Sequence, residues 1–281
     1  MAKTIILTDS SAYLPQEQID QYGIEVIPLT LNWDGVDYRD GLDIKADEFY
    51  KKLAVSTSIP TTSQIGVFDF KKIFERLLDN GYEILTLPIS SGISGTVHSA
   101  FQAKELLKDA PIEVMDTKLV SMALGFMVLT AARAAQKGAS LKECLKIAKE
   151  AYPKIGVYFT VDTLKYLYQG GRIGGAKHLI GTALNIKPIL EISDGKIDLV
   201  SSVVSQRKAI DKMIKLVEAG IGDKKPVRIS VFHSGVKEQA EILQAQLVEK
   251  FNADEAILSE ISPVVGSHVG PGTMSVAYMT G

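Results

Sequence analysis

Along the first half of the chain, short β-branched runs alternate with stretches of helical periodicity. Thr4 to Thr8, Ile24 to Leu31, Tyr82 to Ile89 and Ile112 to Asp116 read as strands. Val67, Phe70, Ile73, Phe74, Leu77 and Leu78 recur at helical spacing before the stop signal Gly81. Strands separated by helices of this length predict a mainly parallel sheet covered on both faces. Ser140 and Glu143 form a capping-box pattern that opens a helix to about Tyr152, where Pro153 closes it.

The second half has a different grammar. Ile155 to Val161 reads as a strand, Leu164 to Tyr168 as a helical stretch, and Gly170 to Gly175 as a glycine-rich segment. Ile189 to Ser193 and Lys196 to Val203 flank Asp194-Gly195, a two-residue hairpin signal that implies antiparallel pairing. Val227 to Phe232 and Ala256 to Ile261 enclose a helix from Lys237 to Phe251, and Met274 to Met279 forms a last strand. The predicted architecture is α/β in two domains. Residues 1–153 form a mainly parallel α/β/α unit, and residues 154–281 an α/β unit with a mixed or antiparallel sheet.

In parallel sheets, ligands gather at the carboxyl ends of the strands. Two polar loops leave strand ends here: Asp9-Ser10-Ser11 and Ser90-Ser91-Gly92-Ile93-Ser94-Gly95-Thr96. The second runs from a strand into a helix beginning near Val97, so it is expected to present backbone N–H groups, hydroxyls and a helix N-terminus to an anion. Phosphate and carboxylate satisfy the same donors. Pro60-Thr61-Thr62-Ser63-Gln64 places three hydroxyls and an amide in what reads as a loop before a helix. Thr62 or Ser63 can cap that helix. The two hydroxyl-rich loops can also converge on one oxyanion.

Composition removes several function classes. With 281 residues, 46% of them apolar, two cores are affordable, and Lys+Arg 31 against Asp+Glu 33 leaves a net charge of -2. A nucleic-acid partner is not expected from that balance. The single cysteine, Cys144, shares a helical face with Leu141, Leu145 and Ala148, as a small buried hydrophobe does. The N-terminal apolar run is too short for a signal peptide, and the longest uncharged apolar run, Leu119 to Ala132, is shorter than the roughly 20 residues of a membrane span. The expectation is a cytoplasmic protein with no integral membrane segment.

Catalytic and metal motifs fit poorly. Gly92-Ile93-Ser94-Gly95 resembles a nucleophile elbow with His268 downstream, but the second glycine follows Ser94 one position too early. A serine-dependent acyl or ester hydrolase using Ser94 and His268 is the alternative reading. His98, His178, His233 and His268 are scattered without metal-ligand spacing, so no metal site is expected. The glycines around Arg172 form neither a dinucleotide fingerprint nor a P-loop, so no such cofactor is expected. Gly266, Gly270, Pro271 and Gly272 suggest a stiff loop holding His268 against a ligand.

Together TDSSA, PTTSQ, SSGISGT, GGRIGG and GSHVGPG, in this order along essentially the whole chain, resemble the DegV family of bacterial fatty-acid-binding proteins. The resemblance implies two α/β domains enclosing a long-chain fatty acid, whose carboxylate is held by Thr62 and Ser94, with Thr61 as an alternative neighbour. It also implies a carrier that is not itself an enzyme and that takes part in lipid transport. Such a carrier presents its ligand to a separate fatty acid kinase, related to dihydroxyacetone kinases, which makes acyl-phosphate for phospholipid synthesis. Arg172, Arg207 and His268 are supporting candidates for the carboxylate end or the kinase contact. Two departures stand out: Ile65-Gly66 follow Gln64 where the family often has Pro-Ser, and Ile93 replaces a more usual Leu.

Overall fold

The computed structural model describes residues 3–180 and 186–281. The first half builds two sheets. Strands β1 (Lys3–Asp9), β2 (Glu25–Ile27), β6 (Tyr82–Thr86) and β7 (Ile112–Val114) form a parallel sheet in the order β2-β1-β6-β7, as the alternation of strands and helices predicted. The run Ile24 to Leu31 is not one strand. Pro28, which has no N–H to give a ladder, falls in a break after β2. The chain then enters a separate three-stranded antiparallel sheet of β3 (Thr30–Trp33), β4 (Val36–Arg39) and β5 (Thr61–Ser63), in the order β4-β3-β5.

Thr61, Thr62 and Ser63 therefore lie in a strand and not in a helix-capping loop. The following helix, α3 (Val67–Asp79), has Gly66 at its N-cap with no side-chain hydrogen bond there. Pairing with β3 satisfies this backbone instead, through the register Thr30 with Ser63, Leu31 with Thr62 and Asn32 with Thr61.

In the second half, β8 (Ile155–Thr160), β9 (Lys187–Ser193), β10 (Lys196–Val203), β11 (Val227–His233), β12 (Glu255–Glu260) and β13 (Met274–Thr280) form one mixed sheet. Its order is β10-β9-β8-β13-β11-β12, and only β11 and β12 run parallel. The predicted hairpin is present. Asp194 and Gly195 both adopt positive φ, 45° and 80°, as the type I′ turn that matches strand twist requires.

Between the parallel and mixed sheets lies α5 (Ser121–Gln136), the helix formed by most of the long uncharged run. Most of its residues are buried, including Met122, Leu124, Phe126, Met127 and Leu129 on different sides of the helix. A helix that is apolar all round needs apolar cover all round. Here Ile6 and Leu85 of one sheet and Val157, Phe159 and Ala277 of the other belong to the same core as α5. Arg133, on the last turn of α5, forks onto Glu255 of β12 at 2.8 and 2.7 Å, a bidentate pair across the two halves. The next helix, α6 (Leu141–Ala151), carries the predicted capping box, and its Cys144 is fully buried, with burial pushing the thiol up to about 11.

Candidate functional site

A cavity with about 1020 Å³ of empty space, part of it open to solvent, runs between the halves. Its walls are mostly aliphatic and aromatic: Leu29, Ile89 and Val120 from the first half face Val157, Phe159 and Phe232 from the second. Among its polar lining residues, Thr62, Ser94, Arg172 and His268 gather at one place, with Ser63 and Gln64 beside them, while Ser121, Thr273 and Ser275 add further hydroxyls to the wall. An apolar chamber with a few convergent polar groups is the common form of a small-molecule site.

Three side chains bring that polar end together. Gln64, just beyond β5, donates from Nε2 to Ser99 Oγ at 2.9 Å, in the first turn of α4 (Thr96–Glu105). Its amide lies so close to Gly95 that a Cβ there would sit 1.9 Å from Gln64 Oε1. Gln64 thus pins the two hydroxyl-rich segments to each other. Arg172 reaches across from the second half, with Nε donating to the Ile93 carbonyl at 3.1 Å and Nη1 to Gly170 O at 2.6 Å. The side chain of Ser90 extends the same junction by donating to Gly195 O at 2.7 Å, so the 90–96 loop rests on the turn of the β9–β10 hairpin.

Inside that frame the loop's amides are largely engaged. Ser91 N donates to Asp116, Gly92 N to Ser90 Oγ, Ile93 N and Ser94 N to Ser90 O, and Thr96 N to Ser94 Oγ. The backbone offer is therefore narrower than expected, reduced to the Gly95 and Val97 amides at the start of α4, which have none of these partners. The loop's side-chain hydroxyls carry most of its capacity to bind. Ser94 Oγ lies 2.9 Å from Thr96 Oγ1 and is half-buried at the cavity wall.

His268 is not on a stiff loop but in the short helix α10 (Pro263–Val269), with the glycine-rich turn following it. Its Nε2 lies 2.9 Å from Thr62 Oγ1, joining β5 to α10. Burial, and then the nearby Arg172 charge, lower its pKa to about 4, so the imidazole is neutral at pH 7. Nδ1 is buried without a partner and shares its surroundings with that charge. We assign the single ring proton to Nε2, where it is donated to Thr62 Oγ1 and leaves the threonine's own hydroxyl proton free for a ligand. Gly170 makes room for the ring, since a Cβ there would meet Nδ1 at 2.1 Å.

The remaining candidates fall elsewhere. Thr61 is exposed, neighbouring Thr62 on a strand whose successive side chains point to opposite faces, and it does not line the cavity. Arg207 is exposed in the first turn of α8 (Gln206–Ile221), also outside the cavity lining. The hydrolase arrangement is not assembled: Ser94 pairs with Thr96, while His268 pairs with Thr62. Among the described residues there is no cluster suited to a metal and no helix long and apolar enough to cross a membrane.

Among the lining residues to which sequence reasoning assigned no role, two matter most. Gln64 ends the PTTSQ motif, and Tyr13 directly follows TDSSA. Asp9 of that motif is buried and structural: it accepts Ser11 N and Ser11 Oγ at 3.0 and 2.6 Å and Ile89 N at 2.7 Å, holding Ile89 in the cavity wall.

Comparison with known proteins places these features in a wider group. A DegV domain-containing protein of Caldanaerobacter subterraneus is 36% identical over 278 residues, covering 99% of each chain. A solved DegV family protein from Thermus thermophilus, described by its fatty acid binding, superimposes with a TM-score of 0.93 at 33% identity, covering 99% of each chain. DegV from Bacillus subtilis, described as a fatty acid binding protein, gives 0.91 at 29% identity over the whole of both chains. The family model described as "Uncharacterised protein, DegV family" matches residues 3–281, and the chain belongs to the DegV family.

Proposed function

We propose that this protein binds one long-chain fatty acid, with the tail in the apolar cavity and the carboxylate at the end formed by Thr62, Ser94, Arg172 and His268. The observation that carries this reading is a mostly apolar cavity wall in which Thr62, Ser94, Arg172 and His268 come together at one place. The fatty acid binding described for the relatives from Thermus thermophilus and Bacillus subtilis supports it. Burying about 14 methylenes at ~0.8 kcal/mol each yields on the order of 11 kcal/mol gross, against an association cost of roughly 4 to 15 kcal/mol. The tail therefore supplies most of the affinity. The polar end chiefly determines where the carboxylate points.

The same arrangement suits a carrier that is not itself an enzyme. Neutral hydroxyls and a neutral imidazole hold a carboxylate without an activated nucleophile beside it, and the polar end lies at the junction of residues 1–153 with 154–281. We infer that the carboxylate is presented to a separate fatty acid kinase, which forms the acyl-phosphate used in phospholipid synthesis. Mass spectrometry of lipid extracted from the purified protein is expected to find about one fatty acid per chain. Delipidation is expected to lower the melting temperature and oleate or palmitate to restore it. No lipid and no thermal response would refute the binding reading. Binding without acyl-phosphate formation when a partner kinase and ATP are added would refute the presentation step alone.

A further inference from the structure

Tyr13 occupies an unusual place in the cavity wall. It caps the 3₁₀ turn Ser10–Ala12 with φ 56°, a left-handed conformation rarely adopted by a bulky residue. The ring meets Phe232 edge to face at 5.9 Å, and both line the cavity. Two outer crevices lie beyond the same ring. One is bordered by Asp9, Ser10, Asp40 and Gly41, the other by Ser10, Lys45, Glu260 and Ser262, and Tyr13 lines both. Thr62, Ser94, Arg172 and His268 line neither.

Helix α10 gives the direction. His268 lies near its C-terminal end and Val264, also in the cavity wall, four residues earlier, about 6 Å along the axis. Val264 N donates to Asp40 Oδ1 at 3.2 Å. The Tyr13 hydroxyl is directed toward Ser262, the N-cap of α10, with Asp40 and Tyr50 as further electrostatic neighbours. The ring thus stands past the end of α10 opposite His268. Its hydroxyl and that of Ser262 are both buried and neighbour each other, but neither reaches a partner at full hydrogen-bond geometry. A contact short of hydrogen-bond geometry contributes little, so the phenol oxygen does not by itself account for the residue. The ring's place between the cavity and the two crevices, all three of which it lines, does.

We propose that Tyr13 is the stop at the tail end of the cavity and sets the longest acyl chain the protein accepts. This rests on the fatty-acid reading above. The test is the affinity of the delipidated full chain for saturated and monounsaturated acids of increasing length. For the wild type, affinity is expected to rise about fourfold per added methylene while the tail finds apolar wall, then to fall once the terminal methyl meets the ring. Tyr13→Phe, which keeps the ring, should preserve that optimum. Tyr13→Gly suits the left-handed backbone, and both it and Tyr13→Ala open the passage, so their optimum should move to longer acids. A wild-type series with no length optimum would overturn the proposal whatever the variants do. So would a folded Tyr13→Gly, checked by its melting curve, with the wild-type optimum. Failure to bind any acid at all would instead refute the fatty-acid reading.

Discussion

Replacing His268 by Gln tests the electrostatic account of the polar end. The amide of His268→Gln can still donate toward Thr62 Oγ1, but it does not titrate. In the folded protein the imidazole's pKa drops from 6.5 to about 4 because burial and the Arg172 charge disfavour the cation. Between those values the unfolded chain binds more protons than the folded one, so stability due to this group rises with pH. The contribution is fully present above about pH 6.5 and is lost as the pH falls to about 4. At 1.36 kcal/mol per pKa unit the loss is on the order of 3 kcal/mol.

Urea unfolding of delipidated wild type and His268→Gln, at steps from pH 7.5 to 4, measures it. Other titrating groups are common to both proteins and largely cancel in the difference. Trp33, the sole and fully buried tryptophan, reports on the first half by fluorescence, and far-UV circular dichroism reports on the whole chain. Coincident transitions justify a two-state treatment. The variant should gain on the wild type by about 3 kcal/mol over this acidification. A difference in stability that stays constant with pH would refute the buried, neutral imidazole.

Asp40 should behave with the opposite sign, because burial raises its pKa from 3.8 to about 6 despite hydrogen bonds from Ser10 and Val264. The folded state then binds more protons than the unfolded state between those values, so the wild type should lose on the order of 3 kcal/mol relative to Asp40→Asn as the pH rises from 3.8 past 6, as measured by the same unfolding series. Ser94→Ala should keep most fatty-acid affinity, losing no more than the roughly 1.5 to 3 kcal/mol of a charge-assisted hydrogen bond. Acyl-phosphate formation with a partner kinase should fall further, since a displacement of about 1 Å can cost on the order of a hundredfold; equal losses in the two assays would contradict an orienting role.

Local signals in the sequence determined much of this protein. Alternating strands and helices set the parallel order around β1 and β6, and Asp194-Gly195 set the β9–β10 hairpin because its turn demands two positive φ angles. Ser140 and Glu143 set a helix start through hydrogen bonds only three residues apart. The motifs also marked Thr62, Ser94, Arg172 and His268, which line one cavity. Tertiary structure decided what depends on partners distant in sequence. Thr61 to Ser63 became a strand because β3, some 30 residues away, offered a ladder, and strand alternation then left Thr61 exposed beside half-buried Thr62. The long apolar run became α5 between two sheets, where both faces of the helix found cover that no local window displays. Thr62 met His268 across 206 positions, and Tyr13, on the turn that follows β1, entered the cavity wall against Phe232 of the second half. Periodicity records which face of an element is apolar, but not which distant element will cover it.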